Sequence, residues 1–353
     1  MHLFWEGSLA KIHFKKESMI ERIPASPPAI IPVTNTDEQP LWSIMIPTYN
    51  CSTYLKATIE SVLVQDTGVK KMQIEVIDDC SIDDNIELLV KVIGKGRVNF
   101  FKQSQNVGSL RNFETCLNRS KGQFIHLLHG DDQVKPGFYT QIEDLFRNNP
   151  GAGAAITGLS AINEKNEFLY HNNTIQDATG IIPDWLLKIA ANQLLRTCAI
   201  VVKRSVYENL GGYYGVHYGE DWEMFVRIAA NYPVAYSPEN LALYRLHDDN
   251  ISARYLSTGQ NIKDIKKVID IIQAYLPEKK RKEIKKKSSK NFAIYFTGHA
   301  HGIYKNQGNA SLALKQAQGA LSLYTNLDTI ISLVKLYVKI LIGHQPKHHN
   351  LQP

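Results

Sequence analysis

Four separated stretches of the sequence place carboxylates or turn residues beside apolar runs. Three of the stretches end runs typical of buried strands, and the fourth opens a helix. Their residues are Pro47, Thr48, Tyr49 and Asn50; Asp78 and Asp79; Gly130, Asp131 and Asp132; and Glu220 and Asp221. In an open parallel sheet, ligands lie beyond the carboxyl ends of the strands. The order of the stretches therefore predicts one shared nucleotide-binding edge rather than solvated surface.

The first two stretches offer groups that can bind a nucleoside. Thr48 and Tyr49 supply hydroxyls and an aromatic edge to a base, and a carboxylate at Asp79 can accept from a pyrimidine N3–H or a ribose hydroxyl. Both stretches also fit ordinary strand-to-helix turns, in which Asp78 and Asp79 satisfy the backbone. The residues alone leave both interpretations open.

The adjacent carboxylates Asp131 and Asp132 give the strongest local signal. Two acids at the end of an apolar strand are costly unless a cation balances them. A hard divalent cation such as Mn²⁺ or Mg²⁺, bridging to a diphosphate, would do so. The alternative is that one of the acids caps a helix over 137–146, which would explain one carboxylate but hardly both.

Other candidate residues flank these stretches. Asn106 begins a loop that leads to Arg111, whose guanidinium matches the geometry of phosphate oxygens. Asp221, with Glu220, could take a proton from an acceptor hydroxyl, although helix capping competes as an explanation. His247 ends a strand and could complete the coordination of a metal, although a lone histidine is more often structural.

Strand-like and helix-like segments alternate from residue 42 onward, which predicts an α/β fold with a mostly parallel sheet flanked by helices. After about residue 261 only helical patterns remain. We therefore predict an N-terminal extension and linker over 1–40, a catalytic domain over 41–260 and a Lys-rich helical C-terminal region over 261–353.

The positive charge of the chain is local. Residues 263–290 carry eleven Lys or Arg against four acids, a net +7, whereas the whole chain of 353 residues carries +6. The remainder is therefore near −1, and we expect no nucleic-acid partner. The basic stretch fits either a solvated helix face or contact with anionic lipid head groups or a polyanionic acceptor.

The remaining features suit a cytoplasmic protein. The four cysteines are scattered and include no CxxC pair, which fits a reducing compartment. The N-terminus lacks the uninterrupted apolar core of a signal peptide. The apolar run 330–342 is interrupted by Ser332, Lys335 and Lys339, so we expect it to lie on a membrane surface rather than to cross one.

Taken together, the stretches resemble the inverting glycosyltransferases of family two, which have the Rossmann-like GT-A fold. The resemblance covers about residues 42–250. It rests on the ordered motifs Pro47-Thr48-Tyr49-Asn50, Ile77-Asp78-Asp79-Cys80-Ser81-Ile82-Asp83, Asn106-Val107-Gly108 with Arg111-Asn112, Gly130-Asp131-Asp132 with Pro136, Gly211-Gly212 with Glu220-Asp221, and Tyr244-Arg245-Leu246-His247.

The resemblance implies a role for each candidate. Thr48, Tyr49 and Asp79 hold the nucleoside, and Arg111 lies near the diphosphate. Asp131 binds the metal with His247, and Asp221 is the general base. Three positions depart from the family pattern: Cys80 replaces a glycine, Arg111 follows Gly108 two residues early, and His129 replaces the first acid of a D-x-D motif. We expect Cys80 to be tolerated if its turn needs no positive φ.

The resulting expectation is a metal-dependent enzyme of the hexosyltransferase type. It would transfer one sugar from a nucleoside diphosphate donor to a saccharide or lipid-linked acceptor, with peripheral membrane contact through 263–342. The absence of a Q-x-x-R-W motif after Asp221 favours single-sugar addition. The rival interpretations are a non-catalytic sugar-nucleotide scaffold, a nucleotidyltransferase and, more remotely, a dinucleotide-dependent oxidoreductase.

Overall fold

Ten strands of the described residues form one twisted mixed sheet in the computed structural model, which describes residues 21–34, 39–247 and 251–343. The strand order is β3-β2-β1-β4-β9-β6-β10-β5, with β7 beside β6 and β8 beside β10. The strands are β1 (Trp42–Thr48), β2 (Met72–Asp78), β3 (Asn99–Lys102), β4 (Phe124–Leu127), β5 (Gln133–Val134), β6 (Ala154–Ile162), β7 (Phe168–His171), β8 (Gly180–Ile181), β9 (Ile200–Lys203) and β10 (Val234–Arg245).

The long strands pair in parallel, and short strands provide the antiparallel pairs. β1 is parallel to both β2 and β4, and β6 is parallel to β10. β9 joins the two halves, since it is antiparallel to both β4 and β6. Every residue of β1 and β6 is buried, which is why these strands read as continuous apolar runs. The predicted α/β class with a mostly parallel sheet and a helical C-terminal region is confirmed; the antiparallel β9 is an addition to it.

Twelve α-helices of the described residues cover the sheet and form the C-terminal region. They are α1 (Ser52–Leu63), α2 (Ile86–Gly94), α3 (Ser109–Arg119), α4 (Phe138–Asn148), α5 (Trp185–Ala191), α6 (Arg204–Leu210), α7 (Glu220–Asn231), α8 (Ile251–Thr258), α9 (Gln260–Ile271), α10 (Glu278–Gln307), α11 (Ala310–Leu323) and α12 (Leu327–Leu341). Their apolar residues recur at helical spacing, as in α1, which buries Leu55, Ile59 and Val62.

The C-terminal helices pack against the catalytic body and against one another. Ile265 of α9 and Phe292 of α10 belong to the same core as the sheet. A second core, built around Ala300, Ala317 and Leu336, joins the end of α10 to α11 and α12. The predicted domain boundary near 261 stays a prediction, because helices beyond it contribute to both cores.

The described part of the N-terminal extension lies against the catalytic body. The carbonyl oxygens of Pro24 and Pro28 accept hydrogen bonds from the backbone N–H groups of Gly215 and Gly212, at 3.0 and 2.8 Å. Ile30 is buried in the main core. Most of the predicted extension and linker over 1–40 falls outside the described residues, so that assignment also stays a prediction.

None of the described helices combines the length and the apolar character that a membrane span requires.

Candidate active site

The first three predicted stretches emerge at one edge of the sheet. β1 lies between β2 and β4, and Thr48 is in register with Asp78. The backbone N–H of Asp79 donates to the Thr48 carbonyl at 2.9 Å, and that of Gly130 donates to the Pro47 carbonyl at 3.1 Å. The strand ends that carry these residues are therefore tied together directly.

Gly130 allows the closest approach between two of these strand ends. A Cβ at this position would lie 2.8 Å from Cys51 Sγ and 3.0 Å from Thr48 Oγ1. A side chain at position 130 would therefore force the neighbouring Cys51 or the loop itself to shift. The Gly130 carbonyl also accepts from Thr58 Oγ1 of α1 at 2.9 Å.

Asp79 is almost fully buried and organises the loop before α3. Its carboxylate accepts from the backbone N–H groups of Val107 and Gly108 at 2.7 and 2.9 Å, and from Asn106 Nδ2 at 3.0 Å. Burial raises the pKa of Asp79, and the two backbone N–H groups oppose that rise. The nucleoside contact assigned to Asp79 stays a prediction; the observed contacts make it the anchor of 106–108.

Asp78 and Asn50 stabilise neighbouring turns. The Asp78 carboxylate accepts from Ser81 Oγ at 2.5 Å, and the same Ser81 oxygen accepts from the Asn50 backbone N–H at 2.9 Å. This is the turn chemistry that the sequence left open. Tyr49 is 40% exposed beside these turns, and Thr48 is buried. The condition that we set for Cys80 is not met, because its φ is +61° and its turn does need a left-handed residue.

His129, Asp131 and Asp132 form a compact group of possible metal ligands. One donor atom from each lies within 4.8 Å of the others. His129 Nε2 is buried and has no hydrogen-bond partner among the described residues. Burial lowers the pKa of His129, which keeps its imidazole neutral and able to bind a metal. The donor set therefore fits a divalent cation, and His129 supplies a donor where the family pattern has an acid.

Asp131 is held from the opposite side by His247. His247 Nε2 lies 3.0 Å from Asp131 Oδ2. Burial acts to raise the pKa of Asp131, but the hydrogen bond from His247 and the nearby His129 outweigh it, and the pKa is lowered. The two residues predicted to share a metal are thus adjacent.

Asp132 faces the protein interior. Its Oδ1 accepts from the backbone N–H of Arg245 at 3.0 Å, and burial next to Asp131 raises its pKa. Arg245 Nε donates to the Asp131 carbonyl at 2.8 Å. The capping alternative is wrong for both acids, because α4 begins at Phe138 and its N-cap is Gly137.

Asp221 lies in the first turn of α7 and close to the metal-ligand group. Its Oδ2 accepts from Gln193 Nε2 at 2.8 Å, and its Oδ1 accepts from the Trp222 backbone N–H at 2.7 Å. The N-cap of α7 is Gly219, so neither Glu220 nor Asp221 is the capping residue. Burial raises the pKa of Asp221, whereas Arg196 and His129 act to lower it. His129 is within electrostatic range of both Asp131 and Asp221.

The guanidinium of Arg111 forms hydrogen bonds with other parts of the protein. Its Nη1 donates to Glu114 Oε2 at 2.7 Å, and its Nε donates to the Glu21 carbonyl at 2.8 Å. It lines a groove with Phe101 and Arg119 on the outer side of α3. These contacts give no support to the diphosphate role predicted for Arg111.

Two polar residues near Asp221 are not among the site residues predicted from the sequence. Gln193 and Arg196 lie in the irregular segment between α5 and β9, where no strand or helix pattern marks a site. Arg22 is a third addition, since its Nη2 donates to Asn106 Oδ1 at 2.6 Å and so supports the loop that Asp79 anchors. Only their position in the folded chain identifies them.

Comparisons with known proteins define the class. Residues 43–210 match the family model "Glycosyl transferase family 2". An uncharacterized glycosyltransferase of Rickettsia typhi, RT0329, is 26% identical over 59% of this chain and 65% of its own. For other curated relatives the match covers from 12% to 75% of their length. Residues 43–210 are therefore a glycosyltransferase domain of family 2, and the relatives named glycosyltransferases support the same enzyme class for the chain.

Solved structures show the same fold. The structure of S. aureus TarS 1-349 in complex with UDP-GlcNAc superposes with a TM-score of 0.60 at 12% identity, over 86% of this chain and 88% of that one. Mannosyltransferase PcManGT from Pyrobaculum calidifontis, in complex with GDP-Man and Mn2+, gives a TM-score of 0.53 at 15% identity, over 90% and 91%. The predicted family, GT-A fold and enzyme class are confirmed.

Proposed function

We propose that this chain transfers a single sugar, with inversion, from a nucleoside diphosphate sugar to an acceptor hydroxyl, and that it needs Mn²⁺ or Mg²⁺. The observation that carries the proposal is the compact group of donor atoms from His129, Asp131 and Asp132, with Asp221 within electrostatic range of His129. Candidate metal ligands and the candidate base Asp221 could therefore act on one bound substrate.

The donor binds at the strand ends of β1, β2 and β4. Pro47, Thr48 and Tyr49 line the nucleoside side, with Asp79 and Asn106 shaping the loop opposite them. The TarS structure contains UDP-GlcNAc, which favours a UDP-linked donor here. His129 and Asp131 would hold the cation, with His247 fixing Asp131. When bound, the cation offsets negative charge on the leaving diphosphate, and the Mn2+ in the PcManGT complex supports that requirement.

Asp221 acts as the general base in this proposal. Its carboxylate takes the proton from the acceptor hydroxyl as that oxygen attacks the anomeric carbon from the face opposite the diphosphate. A new glycosidic bond forms, the bond to the diphosphate breaks and the configuration inverts. The raised pKa of Asp221 makes it a stronger base than an exposed aspartate, and Gln193 holds its orientation.

The acceptor is a saccharide or a lipid-linked saccharide at the cytoplasmic face of a membrane, as in surface polysaccharide or glycolipid assembly. Helix α12 supports this part of the proposal. It buries Thr329 and Leu336 against the protein, yet exposes an apolar face on its other side. That face comprises Leu327, Ile330, Ile331, Val334, Tyr337, Val338 and Leu341. Such a face with flanking lysines binds the interfacial region of an anionic bilayer.

Vesicle flotation tests the membrane contact. Replacing Val334 and Val338 of the full chain by Glu should reduce its binding to vesicles that contain anionic lipid by at least about ten-fold, because two charges would enter the lipid interface. Val69→Glu is the control, since Val69 is exposed to 76% but lies far from α12 in sequence. Equal flotation of all three proteins would refute the contact.

Donor turnover tests the enzymatic proposal. The protein is incubated with a panel of nucleotide sugars and Mn²⁺ or Mg²⁺, and the release of free nucleoside diphosphate is measured. Wild type should release it slowly, and Asp221→Asn should retain donor binding but lose release. Donor binding without release from any member of the panel would instead favour a sugar-nucleotide-binding scaffold.

A further inference from the structure

Arg196 has far more hydrogen-bonding capacity than the protein uses. Its guanidinium carries five N–H donors, yet the one hydrogen bond it makes with the described residues is Nη1 to the Leu195 carbonyl, at 3.4 Å. Its Cζ lies 5.5 Å from the centre of the Tyr244 ring. Asp221 is within electrostatic range, but Arg196 forms no ion pair with a carboxylate in the described parts of the chain. Such a half-buried cation is suited to an anionic ligand.

Three tyrosines interact with this guanidinium. Tyr218, Tyr244 and Tyr295 all lie within electrostatic range of Arg196. None of their hydroxyls makes a hydrogen bond within residues 21–34, 39–247 or 251–343. Tyr244 is also within electrostatic range of Asp131 and Asp132. We call Arg196, Tyr218, Tyr244 and Tyr295 the arginine–tyrosine cluster.

Helix α10 holds its part of the cluster in a fixed position. Asn291 Nδ2 donates to the Ala191 carbonyl at 3.0 Å, which ties α10 to the segment before Arg196. Phe292 packs on Trp222, the residue after Asp221, with 4.7 Å between ring centres. Tyr295 follows within one turn and is 47% exposed. The C-terminal helices thus present a side chain to the active-site edge.

We infer that the arginine–tyrosine cluster binds the acceptor and selects an acidic saccharide, one that carries a carboxylate or a phosphate near the attacking hydroxyl. A guanidinium binds either anion through paired hydrogen bonds, and tyrosines offer hydroxyls and ring faces to a sugar. This inference rests on the proposed function, because it assumes that Asp221 accepts the proton of the acceptor.

The position of Arg196 favours the acceptor over the donor diphosphate as the source of the anion. Asp221 is the carboxylate within electrostatic range of Arg196. Asp131, which would face the diphosphate through the cation, interacts instead with the imidazoles of His129 and His247. Arg196 is therefore associated with the proposed base Asp221 rather than with the proposed metal ligand Asp131.

Matched acceptors test the inference. Glycosides are offered in pairs that differ only in a carboxylate against a hydroxymethyl group, or in a phosphate against a hydroxyl. They are assayed both as acceptors, with saturating donor, and as ligands by calorimetry. Wild type should prefer the acidic members by about 10- to 100-fold, the range expected for a charged hydrogen-bonded pair. Arg196→Gln should remove the preference, and Tyr295→Ala should weaken binding of both members of a pair.

Controls separate this inference from the proposed function. Arg147→Gln changes an exposed arginine on α4 and should keep the wild-type preference. The dissociation constant for UDP should stay within about two-fold in Arg196→Gln. Equal use of both members by wild type, or weaker UDP binding by Arg196→Gln with the preference intact, would overturn the inference. Failure to release a nucleoside diphosphate from any donor of the panel would instead refute the proposed function.

Discussion

Replacing Gly130 by alanine tests whether close contact between two strand ends sustains the active site. The new Cβ would lie 2.8 Å from Cys51 Sγ and 3.0 Å from Thr48 Oγ1. Optimal non-bonded separations are about 3.5–4.0 Å, so the turn after β1 and the loop 129–132 must move apart by roughly 0.5–1 Å.

Two effects should follow from this displacement. Forcing an extra methyl into a packed site costs about 1–3 kcal/mol of the free energy of unfolding. A displacement approaching 1 Å between the nucleoside-binding and metal-binding loops should also lower donor turnover, by on the order of 10- to 100-fold. Urea denaturation measures the first effect, and release of nucleoside diphosphate measures the second.

Two further variants make the comparison specific. Gly151→Ala places its Cβ in open space and should change the unfolding free energy by less than about 0.5 kcal/mol. Cys51→Ala removes the sulfur that the new methyl meets, so the double variant should recover about 1 kcal/mol relative to the sum of the single changes. If Gly130→Ala behaves like Gly151→Ala, or if the double variant shows no coupling, the steric argument fails.

Three other predictions concern charge and anchoring. Asp79→Asn should lower the free energy of unfolding by about 2–3 kcal/mol, because an amide cannot accept from all three donors of 106–108; a loss below about 0.5 kcal/mol in urea denaturation would contradict this. Burial raises the pKa of Glu220. The folded protein therefore retains on this carboxyl a proton that the unfolded chain releases near pH 4, and the free energy of unfolding falls as pH rises through that window. Glu220→Gln should therefore stabilise the protein at pH 8, by about 1.4 kcal/mol per unit of raised pKa, and change its stability little at pH 4. Thermal melting at both pH values measures this difference, and an equal effect of the substitution at the two pH values would refute the prediction. His129→Ala should weaken Mn²⁺ binding by on the order of 10- to 100-fold, measured by calorimetry, whereas unchanged affinity would remove His129 from the ligand set.

The sequence predicted where a residue lies in the fold when that location depends only on the residue's position along a strand. An apolar strand followed by a polar residue predicts a side chain at the carboxyl edge of the sheet, and Thr48, Asp79 and Asp131 lie there. The family resemblance rests on the same strand ends.

Side-chain partners were less predictable, because they depend on helix rotation and on contacts distant in sequence. Arg111 lies in the first turn of α3 and forms ion pairs with Glu114 and Glu21. No local sequence pattern predicts these partners. Arg196 lies in an irregular segment, and its neighbours Tyr244 and Tyr295 come from β10 and α10. The positive φ of Cys80 depends on the turn that Ser81 and Asp78 close.

The central claim is that side chains from the loop after β4, from α7 and from the residues just beyond β10 converge on one metal-bound donor. The most direct test is a crystal structure with Mn²⁺ and an intact UDP-sugar, in which anomalous scattering locates the metal. We predict a single peak about 2 Å from an Asp131 oxygen, with the Asp221 carboxylate facing the anomeric carbon opposite the diphosphate. A peak remote from His129 and Asp131, or a sugar beyond the reach of Asp221, would contradict the account.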